Sequence, residues 1–104
     1  MRAVSTTSNE RIKELPRPIR SLFEQYNEYL LLEKGSSKNT LAAYENDLLR
    51  YLEFLARRDV TVLKDVTPEH AREHVAVLSE LGMSAASIAR ALSAIRGLHK
   101  FALV

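Results

Sequence analysis

His70 and His74 stand four residues apart with Glu69 and Glu73 beside them, the spacing at which two histidines on one helix can hold a metal ion. A zinc-protease helix needs the order His-Glu-x-x-His, with the glutamate placed to act as base on the metal-bound water. Here Ala71 follows the first histidine, Glu73 immediately precedes the second, and no third ligand is evident, so the pair is read as part of a solvated helix face. Tyr26, Tyr29, Tyr44 and Tyr51 fall mostly on apolar stripes at helical spacing, which makes them packing residues with hydroxyls near the surface rather than nucleophiles. The chain has no cysteine, which excludes a disulfide framework, a thiolate metal site and a thiol nucleophile. No glycine-rich phosphate loop is present. No complete active site emerges, and neither metal nor cofactor is expected.

The chemistry that remains is attraction of phosphate. From Leu81 to the end there is no Asp or Glu, only Arg90, Arg96 and Lys100 with His99, whereas a merely solvated helix mixes both signs. Projected as a helix, the side opposite the apolar stripe carries Ala86, Arg90, Ser93, Gly97 and Lys100. Small residues there let a backbone approach another surface closely while long cations reach phosphates. The bland alternative is that the alanines promote helix and the cations keep it solvated. An earlier segment repeats the arrangement with Asn39, Ala43, Asn46, Arg50 and Arg57, and Lys38, Asn39 and Thr40 occupy its first turn, where free N–H groups favour a phosphate oxygen. Ordinary capping with incidental polar neighbours is the competing explanation of that turn.

Four helices must position these residues. Three Gly, three Pro and no sustained apolar–polar alternation predict an all-α fold. The first helix is expected over 19–34, with Leu22, Phe23, Tyr26 and Leu30 inward, Lys34 in its negative last turn and Gly35 as its stop. Ser37 caps a second over 37–58 with Leu41, Tyr44, Leu48, Tyr51, Leu52 and Leu55 inward. A packed connection containing Val60 and Val62 leads to a third, capped at Thr67 with Pro68 at its first position. Its inward set is Ala71, Val75, Leu78 and Leu81, and Gly82 closes it. Ser84 caps the fourth, with Ile88, Ala91, Leu92, Ile95, Leu98 and Ala102 on one face to the end of the chain. Residues 1–18, with Pro16 and Pro18, are expected to form a flexible tail, with a short amphipathic turn around Ile12 and Leu15 as the alternative.

At 104 residues there is room for one domain, and 15 Lys+Arg against 13 Asp+Glu leave a surplus too small to indicate a partner by itself. No apolar run exceeds four residues, as from Tyr29 to Leu32, far short of the roughly 20 residues that span a bilayer, so a soluble cytoplasmic protein with no membrane partner is expected. The chain ends on Phe101-Ala102-Leu103-Val104 without a stop signal and reads as part of a longer protein, with residues 98–104 docking only partly.

The stretch from Gly35-Ser36-Ser37-Lys38-Asn39-Thr40 through Tyr44-Glu45-Asn46-Asp47-Leu48 to Phe54-Leu55 resembles the "S-x-N-T-x-x-x-Y-x-x-D-L … FL" signature of the N-terminal core-binding domain of tyrosine site-specific recombinases. Gly82-Met83-Ser84 through Ser87-Ile88-Ala89-Arg90-Ala91-Leu92-Ser93-Ala94-Ile95-Arg96 resembles that domain's last helix, "G-x-S-x-x-S-I-x-R-x-L-S-A-x-R". The similarity covers residues 19–104 and is greatest to the bacterial Xer group, ahead of phage and integron integrases. It implies a SAM-like, four-helix orthogonal bundle forming half of a clamp on a duplex DNA recombination site. Other recombinase protomers on the same DNA and a catalytic domain of the same parent chain are the further implied partners. The catalytic tyrosine, arginines and histidines belong to that absent domain, so this chain alone is not expected to cut DNA. Carried over by position, Lys38, Asn39 and Thr40 meet the backbone, Ala43 and Asn46 face the groove with Arg50 beside them, and Ser87, Arg90 and Ala94 face DNA with Arg96 at the flank. Arg90 is the expected base reader, through a fork that suits guanine. The sequence departs from the family at Glu45-Asn46, where arginines are common, so weak affinity is expected. A helical module that binds protein would instead need exposed aromatic or leucine anchors on these faces.

Overall fold

The computed structural model describes residues 8–35 and 37–103, and these form an all-α fold. The helices are α1 (Ser8–Lys13), α2 (Arg17–Tyr29), α3 (Lys38–Arg57), α4 (Pro68–Glu80) and α5 (Ala85–Ala102). Residues 1–7 of the expected tail, Ser36, the Lys34 side chain and the apolar terminus at Val104 lie outside what is described.

Local chemistry sets most boundaries. The Thr40 N–H donates to Ser37 Oγ at 3.2 Å and the Ser87 N–H to Ser84 Oγ at 3.1 Å, which satisfies orphan donors at the starts of α3 and α5. At α4 the Thr67 N–H donates to His70 Nδ1 at 3.0 Å while the His70 N–H returns to Thr67 Oγ1 at 3.3 Å, with Pro68 following the cap. Gly82 takes φ +83° after α4, and the Gly82 and Met83 N–H groups donate to the Ser79 and Leu78 carbonyls.

The same closure ends α3 without glycine. Asp59 and Val60 donate to the Ala56 and Leu55 carbonyls, and Asp59 takes φ +61°, a left-handed conformation that costs a residue with a Cβ. Asp59 is exposed, so its side chain brings no packing to offset that strain. Asp59→Gly is therefore expected to raise stability by about 0.5–1 kcal/mol. Urea unfolding measures it, and a loss of stability would show that the aspartate contributes more than its backbone strain costs.

The long α3 is the hub, with Leu48, Leu49, Tyr51, Leu52, Phe54 and Leu55 all buried and α2, α4 and α5 packed around it. From α2 come Ile19, Phe23 and Tyr26, and from α5 come Ala94 and Leu98. Val60 plugs the connection after α3, as expected, and a 3-10 turn at Leu63–Asp65 completes it.

Several features depart from the sequence-based expectation. The segment from Ser8 onward is not a loose tail, because α1 forms, Leu15 is buried, and the Arg11 guanidinium grips Glu53 of α3 through Nε at 2.9 Å and Nη2 at 2.6 Å. The described residues thus form five α-helices where four were expected. The first expected helix widens into a π-helical turn at Leu30–Lys34 before Gly35, with Leu30 buried but Leu31 and Leu32 on the surface. On α4 the inward residues are His74 and Leu78, whereas Ala71 and Leu81 are exposed, so the helix is rotated from the expected face. On α5, Gly97 points inward, since a Cβ there would collide with the Tyr26 hydroxyl. The end of α5 docks in part, as expected, although Ala102 leaves the apolar face. Leu98 is fully buried and the Phe101 ring lies 5.1 and 5.2 Å from those of Tyr26 and Tyr29, leaving Ala102 and Leu103 exposed.

Candidate nucleic-acid interface

Asp47 occupies the apolar seam of α3, three residues after Tyr44 and four before Tyr51, and this spacing turns it toward the core. It is 1% exposed. A carboxylate so placed needs a partner, and Arg90 of α5 supplies one, with Nε donating to Oδ2 at 2.8 Å and Nη2 to Oδ1 at 3.0 Å. The Arg90 side chain keeps 40% of its surface open, so the pair spans from core to solvent. The hydrogen bonds to Asp47 hold the guanidinium pKa above its ordinary value, against the opposing effect of desolvation.

Around this bridge the expected residues divide. Ala43 and Arg50 lie one turn either side of Asp47 and are half-buried, with Asn46 exposed beside them. Arg50 Nη1 lies 3.7 Å from Met83 Sδ, which draws α3 to the turn preceding α5. Ser87 lies one turn before Arg90 and its Oγ receives a hydrogen bond from Ser84. Two turns before Asp47, Lys38 and Asn39 are exposed and the Thr40 hydroxyl accepts from Ser37 Oγ at 3.0 Å. Arg96 and Lys100 are exposed, and among the described residues neither pairs with a carboxylate. Ala94 does not join them. It is 3% exposed and packs in the core, because the buried arc of α5 runs through Ala91, Ala94 and Leu98 rather than stopping at the larger apolar residues.

The exposed side of α5 therefore reads Ala86, Ala89, Arg90, Ser93, Arg96 and Lys100, small residues interrupted by cations with no acidic side chain. The structural role of Asp47 went unread in the sequence, although a charge at core spacing on α3 was its signal.

The histidines are not a solvated face. His70 caps α4, while His74 is 1% exposed, and its ring lies 5.2 Å from that of Tyr51 and 5.0 Å from that of Phe54. Among the described residues, neither His74 nitrogen has a hydrogen-bond partner. Burial pushes its pKa down to about 4, the nearby Arg50 and Arg57 reinforce this, and Asp47 opposes it. The Tyr51 hydroxyl lies 2.7 Å from His99 Nε2, and burial lowers the His99 pKa and raises that of Tyr51 to about 12. No group of three metal-ligating side chains occurs among the described residues. An apolar groove of about 360 Å³, lined by residues including Pro18, Leu22, Val62 and His99, contains none of the residues expected to meet DNA. No helix among the described residues is long and apolar enough to cross a membrane.

Five helices, the two motifs meeting through Asp47 and Arg90, and a match over residues 23–104 place the chain in the family of phage integrase N-terminal SAM-like domains, to which it belongs. It is similar to a protein named tyrosine recombinase XerD from Chlorobaculum tepidum, with 43% identity over 86% of this chain and 29% of that protein. A protein of the same name from Staphylococcus aureus is 34% identical over 80% of this chain and 28% of its own length. The chain thus spans under a third of these curated relatives. No solved structure gives a significant match.

Proposed function

We propose that this domain grips duplex DNA as the N-terminal half of a clamp in a Xer-type tyrosine recombinase. The observation that carries the proposal is the exposed side of α5, free of acidic side chains and bearing Arg96 and Lys100, which pair with no carboxylate among the described residues, beside Arg90, which bridges to Asp47 of α3. Lys38, Arg96 and Lys100 supply charge to phosphates, the free N–H groups at the start of α3 add to it, and Ala43, Asn46, Ser87, Ala86 and Ala89 leave room for the groove edge. Ala94 is withdrawn from this set.

In this reading the cytoplasmic parent protein cuts and rejoins DNA through a catalytic domain of its own, in site-specific recombination such as chromosome dimer resolution. The present domain supplies grip and register beside other protomers on the recombination site. A phage or integron integrase would use the same surface. A protein-binding face is disfavoured because, of the large exposed apolar residues among those described, Leu31, Leu32 and Leu81 stand outside α3 and α5, and Leu103 comes only at the C-terminal end of α5.

Binding of a random-sequence duplex by the 104-residue protein tests the reading. Release of counterions by about three phosphate contacts predicts an affinity loss of about 40-fold between about 50 and about 200 mM salt. Affinity independent of salt, or no binding at low salt, would overturn it.

A further inference from the structure

Arg90 has two edges that can each offer a pair of parallel N–H donors, one formed by Nε and Nη2 and the other by Nη1 and Nη2. Asp47 occupies the first, accepting from Nε at 2.8 Å and from Nη2 at 3.0 Å. The second edge remains, in a side chain still 40% exposed. A free arginine side chain would lose considerable rotamer freedom on docking, whereas one held by a buried carboxylate has already lost most of it.

We propose that Asp47 is a positioning residue for sequence recognition, fixing Arg90 so that its Nη1/Nη2 edge presents a paired donor to one base. The proposal rests on the DNA-clamp reading and deepens it. Asp47 cannot itself touch DNA, since it is 1% exposed and its carboxylate lies behind Arg90. Its charge also has a cost for nonspecific binding, because it offsets the Arg90 cation and leaves general attraction to Lys38, Arg96 and Lys100. Preference and general affinity are therefore carried by different residues.

The test is retention of a randomised duplex pool, sequenced before and after binding, on the 104-residue protein and on Asp47→Asn and Arg90→Lys. Circular dichroism establishes the temperature at which each is folded. Arg90→Lys keeps the ion pair but has a single ammonium head and no second edge. Both variants are expected to lose about tenfold of the preference for the selected sequence. Affinity for the unselected pool should stay unchanged or tighten slightly for Asp47→Asn. Combining Asp47→Asn with Arg90→Ala should cost no more preference than Arg90→Ala alone, as two residues acting as one unit require. A preference unchanged in Asp47→Asn and Arg90→Lys would make the pair purely structural and overturn the proposal while leaving the clamp standing. Failure of the unaltered protein to bind duplex at all would remove both.

Discussion

Acidification from pH 7 to about pH 4 is expected to cost the fold about 3 kcal/mol through His74 alone, and His74→Leu should abolish that part of the loss. In the unfolded chain the imidazole takes up a proton near pH 6.5, whereas in the folded protein it does so only near 4. Stability from this group is complete above pH 6.5 and is lost as pH falls toward 4, because the unfolded state there binds the extra proton. The physical cause is the site. The ring is enclosed by Tyr51 and Phe54, Arg50 and Arg57 repel a positive charge, and Asp47, the one acidic group that favours the cation, is already held by Arg90. His99, whose pKa burial also lowers, adds to the loss in the same direction. At pH 7, His74→Leu should be no less stable than the unaltered protein, since it removes two polar nitrogens that have no partner. Urea unfolding at several pH values decides the matter, and an unchanged pH slope in His74→Leu would sink it.

Arg90→Ala is expected to cost about 3 kcal/mol and Asp47→Ala about 1–2 kcal/mol, although both delete the same bridge. The asymmetry follows from exposure. Loss of Arg90 strands a carboxylate 1% exposed, whereas loss of Asp47 frees an arginine whose side chain, 40% exposed, can turn to water. The larger figure sits at the lower end for a buried pair because Arg90 is already partly solvated. Replacing both, as Asp47→Leu with Arg90→Met, should recover most of the stability while forfeiting the charge pattern at the interface. Denaturant midpoints of the three variants test this. Equal losses below about 0.5 kcal/mol for both single variants would class the bridge with ordinary surface pairs.

The helix starts were legible because capping is local. Ser37, Thr67 with Pro68, and Ser84 each carry their message within three residues, and each caps the helix expected of it. Faces were less legible. Counting His74 as polar and Leu81 as apolar turned α4 the wrong way, and small residues hid the true width of the buried arc on α5 at Ala94 and Gly97. The two prolines at positions 16 and 18 read as a loose start, whereas Pro16 in fact stands at the N-cap position of α2, without a side-chain cap, and Leu15 reaches the core. Bonds across the chain were invisible. Arg11 meets Glu53 across 42 residues and Arg90 meets Asp47 across 43, distances at which spacing carries no information. The candidate interface was legible mainly through two motifs, whose charged members Asp47 and Arg90 prove to hold each other.

Tyr51 gives the domain a shared fastening. Its ring lies against His74 of α4 and its hydroxyl meets His99 of α5, so displacing this one α3 side chain removes a partner from both helices. Any fluctuation that unseats Tyr51 therefore loosens α4 and α5 together, which couples their local opening. A surface built on α5 shares that dependence: its hold on α3 rests in part on the same side chain that helps to seat α4.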